Sequence, residues 1–107
     1  MNLQLQKEWN QNKNNNIFWN YIYKLTLSDG STYIGLRHSF IEPEKDTEYL
    51  GSGSYVDKSK IISKEILIQG QFSDKELSDL ETFYIKKDKQ ENPLNLNFFL
   101  KAANNLL

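Results

Sequence analysis

The stretch that decides the fold is Tyr21-Ile22-Tyr23-Lys24-Leu25-Thr26-Leu27-Ser28-Asp29-Gly30-Ser31-Thr32-Tyr33-Ile34-Gly35-Leu36-Arg37. Tyr21, Tyr23, Leu25 and Leu27 alternate with Ile22, Lys24 and Thr26, a period of two in residues that favour strands. Asp29-Gly30 then separates this run from a second one, because glycine accepts the positive φ that a tight turn demands. The two runs predict a hairpin, with one strand over residues 18–27 and the returning strand over residues 32–37.

Downstream, residues 38–57 read as a long loop holding Pro43, Gly51 and Gly53, and loops of that length in small domains are often functional. A short helix is expected within Ser54 to Lys60. Ile61 to Gln69 is apolar and β-branched, with Ile62, Ile66 and Ile68 on one alternation, and predicts a third strand. Ser73-Asp74-Lys75-Glu76 is a capping box, serine at the cap and glutamate three residues on. The helix it opens runs to about Lys89 and stops before Pro93. Leu94 to Leu100 predicts a last strand or packed tail, and Lys101 to Leu107 a closing helix. Upstream, residues 1–16 are rich in Asn and Gln without an apolar period and predict a flexible arm, Trp9 being the one residue able to dock. The order gives an α+β domain over residues 17–107, built on a small antiparallel sheet.

The chain has 107 residues, 38% hydrophobic and 13% aromatic, enough for one modest core. It has no cysteine, which excludes disulfides, cysteine-ligated zinc and thiol catalysis. No apolar run of about 18 residues is present, so no membrane-spanning helix is expected. Net charge is −1, from 13 basic and 14 acidic residues, which weighs against nucleic-acid binding unless a local basic patch forms.

Four groups of residues look chemical. Leu77, Leu80, Glu81 and Tyr84 fall on one helical face, so Glu81 lies in an apolar stripe. A carboxylate there needs a partner, a metal or a route to solvent at the stripe's edge. Arg37 and His38, the sole arginine and the sole histidine, adjoin at a strand end. A guanidinium can grip phosphate and an imidazole can shuttle protons, although neighbours on a strand point to opposite faces. Tyr23 and Tyr33 lie on the two hairpin strands, where a tyrosine is most often core with its hydroxyl satisfied. Gly51-Ser52-Gly53 would let backbone approach a phosphate, but matches no nucleotide-binding fingerprint.

In series, these residues resemble the GIY-YIG nuclease superfamily. Tyr21-Ile22-Tyr23 stands where that family has Gly-Ile-Tyr, with Tyr21 in the glycine position, and Tyr33-Ile34-Gly35 matches the second motif. Asp46 with Tyr49-Leu50-Gly51-Ser52-Gly53, then Lys64-Glu65-Ile66-Leu67, are similar to a phage-encoded subgroup, as is the pair Arg37-His38. Leu80-Glu81 with Tyr84-Ile85 resembles the metal-bearing helix, and Asn95-Leu96 a late Asn motif. The resemblance implies a three-stranded antiparallel sheet flanked by helices. It also implies cleavage of DNA to 5′-phosphate and 3′-hydroxyl ends. Glu81 would hold Mg²⁺ or Mn²⁺, and Tyr23 or Tyr33 would orient or deprotonate water with His38 as proton partner. Arg37 would steady the phosphate, Asn95 would brace the site, and Tyr49, Gly51, Ser52 and Gly53 would meet substrate. No small-molecule cofactor is implied, and the setting would be the cytoplasm of a bacterial or phage-infected cell, as monomer or homodimer. The alternative is a nuclease-fold binding module with weak or no catalysis, acting on a protein or a nucleic-acid structure.

Overall fold

The computed structural model describes residues 1–51 and 56–97. Its elements are α1 (Leu3–Asn14), β1 (Trp19–Leu27), β2 (Thr32–Ser39), β3 (Ile61–Gly70) and α2 (Asp74–Glu91), with single 3-10 turns at Pro43–Lys45 and Lys58–Lys60. The sheet is antiparallel in the order β2-β1-β3, so the hairpin's first strand is central. With the two helices it forms a small α+β fold, as the sequence predicts.

The hairpin turns as Asp29-Gly30 requires. Gly30 has φ of 88°. The Asp29 carboxylate accepts the Ser31 backbone N–H at 2.9 Å and its hydroxyl at 2.5 Å. β2 runs two residues beyond the expected stop, through His38 and Ser39. Period-two alternation then gives β1 two buried faces. Tyr21, Tyr23, Leu25 and Leu27 form one core cluster with Val56, packed by Tyr33, Tyr49, Leu50 and Ile66. Ile22 and Ile34 form the other with Leu77 of α2, packed by Leu80, Tyr84 and Ile85. The sheet is therefore a layer between α2 and a cover that includes Tyr49, Leu50 and Val56. Burying each such apolar side chain contributes about 1.5–3 kcal/mol.

Three expectations need correction. Residues 1–16 are not an unstructured arm: α1 starts at an N-cap where the Asn2 side chain accepts the Leu5 N–H at 2.8 Å. Trp9 docks edge-on to Phe40 at 5.3 Å, and Asn12 donates to the Phe40 carbonyl at 2.7 Å. None of its residues is buried, so the apolar period that reveals most helices is missing. In β3, Ile22 pairs with Ile68 while Tyr23 pairs with Ile66, leaving Leu67 as the extra residue of a bulge. The bulge sends Ile66 to one core and Ile68 to the other, and Ile62 is exposed, so the three isoleucines share no face. The expected 54–60 helix is a 3-10 turn at Lys58–Lys60, its first two residues lying outside the described ones.

α2 opens at the expected capping box, with the Ser73 hydroxyl accepting the Glu76 N–H at 3.1 Å and Glu76 accepting the Ser73 N–H at 2.9 Å. After it, the tail closes on the free edge of β2. Leu96 donates to the Thr32 carbonyl at 2.7 Å, and the Asn97 amide bonds both the N–H and the carbonyl of Ile34 at 2.8 Å. The expected structure for residues 98–107 falls outside the described residues. No described helix is long and apolar enough to cross a membrane.

Candidate active site

Tyr23 is the centre of the face under the loop. It pairs across the ladder with Gly35, and its ring lies over that glycine. A Cβ at position 35 would overlap the Tyr23 Cζ and hydroxyl, so the third letter of Tyr33-Ile34-Gly35 has a steric cause. Gly51 covers the hydroxyl from the loop side. Its φ is 91°, and a Cβ there would stand 2.8 Å from the Tyr23 oxygen. The phenol is thus held between two glycine backbones and is 2% exposed.

Tyr49 and Tyr33 pack with Tyr23 on this face, and the charge of Glu81 bears on its hydroxyl from α2. The Tyr49 ring meets Tyr23 edge-on at 5.9 Å. Burial is the largest influence raising the Tyr23 pKa above 10.0. Repulsion by Tyr49 and Tyr33, a hydrogen bond with Tyr49 and the charge of Glu81 raise it further. Glu81 acts on this group from α2, on the far layer, where its carboxylate is only partly buried. Tyr23 is therefore a neutral phenol across the physiological range. Closed off from solvent by Gly35 and Gly51, it is not a phenolate base.

A second group sits beside the first. Arg37 pairs with Tyr21 across the ladder and so faces the loop. Its Nε donates to Asp46 Oδ2 at 3.0 Å and its Nη2 to Oδ1 at 3.4 Å, with Asp46 itself 3% exposed. The guanidinium lies 3.8 Å from the Tyr49 ring centroid and 5.2 Å from that of Trp9, a stacked cation between two aromatics. The Tyr21 hydroxyl donates to Asp46 Oδ2 at 2.6 Å. Lys64, from β3, donates to that hydroxyl at 2.7 Å and to the carbonyls of Asp46 and Tyr49 at 2.8 Å each. Burial is the largest influence on Lys64 and, opposed by Asp46, lowers its pKa to about 8.

Of the residues singled out in the sequence, Tyr23, Tyr33, Tyr49, Gly51 and Arg37 lie on the loop face of the sheet, and Glu81 lies on α2, which packs on the other face. His38 does not. It pairs with Asn20, whose Nδ2 lies 3.1 Å from its Nδ1, and stacks on Phe18 at 4.9 Å. Because β2 continues straight through Ser39, alternation turns His38 to the face opposite Arg37. Asn95 braces the scaffold: it donates to Asp88 Oδ2 at 2.6 Å and to Asn97 Oδ1 at 3.0 Å, beside β2. Ser52 and Gly53 lie outside the described residues. Asp46, Lys64 and Tyr21 were not assigned chemistry by the sequence. Asp88 was missed although it extends the stripe of Leu77, Glu81 and Tyr84 by one more turn. It is 4% exposed and bonds Lys24 at 3.1 Å and Thr32 at 2.5 Å.

Among the described residues no group of three or more His, Cys, Asp or Glu side chains converges. The carboxylate whose charge reaches Tyr23 is Glu81, on α2. That chemistry suits a hard cation such as Mg²⁺ or Mn²⁺, which takes one or two protein carboxylates and completes its shell with phosphate and water. It does not suit a closed structural zinc site. Comparison of the chain with protein-family models, with curated proteins and with solved structures gave no match.

Proposed function

We propose that the protein hydrolyses DNA phosphodiester bonds with a divalent cation, leaving 5′-phosphate and 3′-hydroxyl ends. The observation that carries this is the packing of Tyr23, Tyr33 and Tyr49 beneath Gly51, with the charge of Glu81 reaching Tyr23 from α2 and the sole guanidinium stacked on Tyr49. Glu81 would hold Mg²⁺ or Mn²⁺. When bound, the cation acts as a Lewis acid and offsets charge on the leaving oxygen. Tyr23, kept neutral by burial and by its neighbours, anchors the tyrosine cluster from beneath. Tyr33, on the adjacent strand, the same face and only partly buried, orients the attacking water through its hydroxyl. Arg37 spends two of its five N–H donors on Asp46 and keeps three for a phosphate. Tyr49 holds the guanidinium plane in place from beneath. His38 has no role here, since it faces away.

The commitment of Arg37 to Asp46 favours one alternative, a binding module of the same fold that recognises a protein or a nucleic-acid structure without cutting it. End chemistry separates the two. A labelled duplex incubated with the pure protein and Mg²⁺ or Mn²⁺ should yield fragments that DNA ligase rejoins without end repair. Retention of the duplex uncut in both metals, with binding detected, selects the module. Undiminished cutting by Glu81→Ala rejects the metal assignment.

A further inference from the structure

Regular backbone pairing in residues 40–51 is limited to the single 3-10 turn at Pro43–Lys45. Something else must hold the loop over Tyr23. Lys64 pairs with Leu25 in the ladder and projects to the loop face. Its ammonium has three N–H bonds, and all three are used: on the Asp46 carbonyl and the Tyr49 carbonyl at 2.8 Å, and on the Tyr21 hydroxyl at 2.7 Å. The two carbonyls belong to the residues that set Arg37, Asp46 through its carboxylate and Tyr49 through its ring. The Tyr21 hydroxyl passes the same cation's influence to Asp46 Oδ2 at 2.6 Å. No apolar side chain can satisfy these carbonyls, and a buried carbonyl left without a donor costs free energy.

We propose that Lys64 is a positioning residue: by fixing the carbonyls of Asp46 and Tyr49 it sets the orientation of Arg37 toward a bound phosphate. Its consequence for turnover rests on the endonuclease assignment, whereas its consequence for Arg37 does not.

Two features of the sequence make the test clean. Arg37 is the only arginine, so its Nε–H is a unique ¹⁵N NMR signal, and the chain has no cysteine. Lys64→Met keeps the aliphatic stem and removes the cation. Lys64→Cys, alkylated with 2-bromoethylamine in denaturant and refolded, returns an amine at nearly the same reach. In the wild type the Arg37 Nε–H should exchange slowly with water. In Lys64→Met exchange should quicken, and DNA cleavage should fall in kcat by roughly 100-fold, the cost typical of an ångström-scale misplacement, with KM for DNA little changed. Alkylated Lys64→Cys should regain both. An Arg37 signal unchanged in Lys64→Met overturns the proposal, as does a signal lost there and not regained by the alkylated variant. A responsive signal with wild-type cleavage overturns the positioning role. A wild type that cuts no DNA defeats the endonuclease assignment while the Arg37 signal still decides whether Lys64 orients it.

Discussion

Gly35→Ala probes the packing on which the site depends. The new methyl would overlap the Tyr23 Cζ and hydroxyl. Tyr23 is 2% exposed and capped by Gly51, so its ring has no open side to move into. Overpacking of a tight core costs about 1–3 kcal/mol, and this contact belongs at the upper end. Replacing a strand glycine by alanine returns about 0.5–1 kcal/mol of backbone entropy. The net loss is about 2 kcal/mol, or a drop in Tm of roughly 8–16 °C at about 4–8 °C per kcal/mol in a domain near this size. The assay is urea unfolding followed by far-ultraviolet circular dichroism, in the wild type and in Tyr23→Leu. Without the ring, Gly35→Ala should be neutral or slightly stabilising. The coupling between the two positions should therefore be about 2 kcal/mol, within the range for residues in contact. Equal cost in both backgrounds would refute the steric origin of the glycine.

Two further predictions concern pH. Asp88 is opposed by burial, but hydrogen bonds from Thr32, Asn95 and Lys24 together hold its pKa below 3.8. A depressed carboxylate stabilises the fold above its unfolded pKa and loses that contribution as pH falls through the folded one. Asp88→Asn should thus cost about 2 kcal/mol at pH 7, the scale of a charged hydrogen bond, and should flatten the decline in stability below about pH 4; an unchanged acid limb would contradict it. Tyr21 and Tyr23 have the opposite sign. Burial raises both above 10.0, with Asp46 adding to Tyr21 and Tyr49 to Tyr23. The unfolded chain then releases their protons first, so stability should fall as pH climbs past 10.0, and Tyr23→Phe should make that fall shallower. Phenolate absorbance from all six tyrosines at pH 10 in the folded protein would count against it.

The hairpin and α2 were legible because their signals are local: Asp29-Gly30 between alternating runs, and a capping box before an apolar stripe. α1 was not, since its hold on the domain is one tryptophan and a few polar contacts, and composition alone suggests a frayed end. The β3 bulge was hidden because Leu67 and Ile68 are both apolar, so either could take the inward position. Alternation did foretell that Arg37 and His38 would part unless the strand ended, and the strand runs on. Lys64 and Asp46 had no local signature. Lys64 finds its acceptors 15 and 18 residues upstream, on loop carbonyls, and these carry no side-chain identity. Asp88, by contrast, was readable, lying four residues beyond Tyr84 on the stripe that drew attention to Glu81.

Central to the proposed activity is a cation held by Glu81 close enough to act on the tyrosines under the loop. Paramagnetic broadening of backbone amides by substoichiometric Mn²⁺, compared between wild type and Glu81→Gln, tests it most directly. The wild type should lose the Gly35 and Gly51 signals first, and Glu81→Gln should keep them at the same Mn²⁺. Broadening centred on other residues, or identical in the two proteins, would contradict the claim.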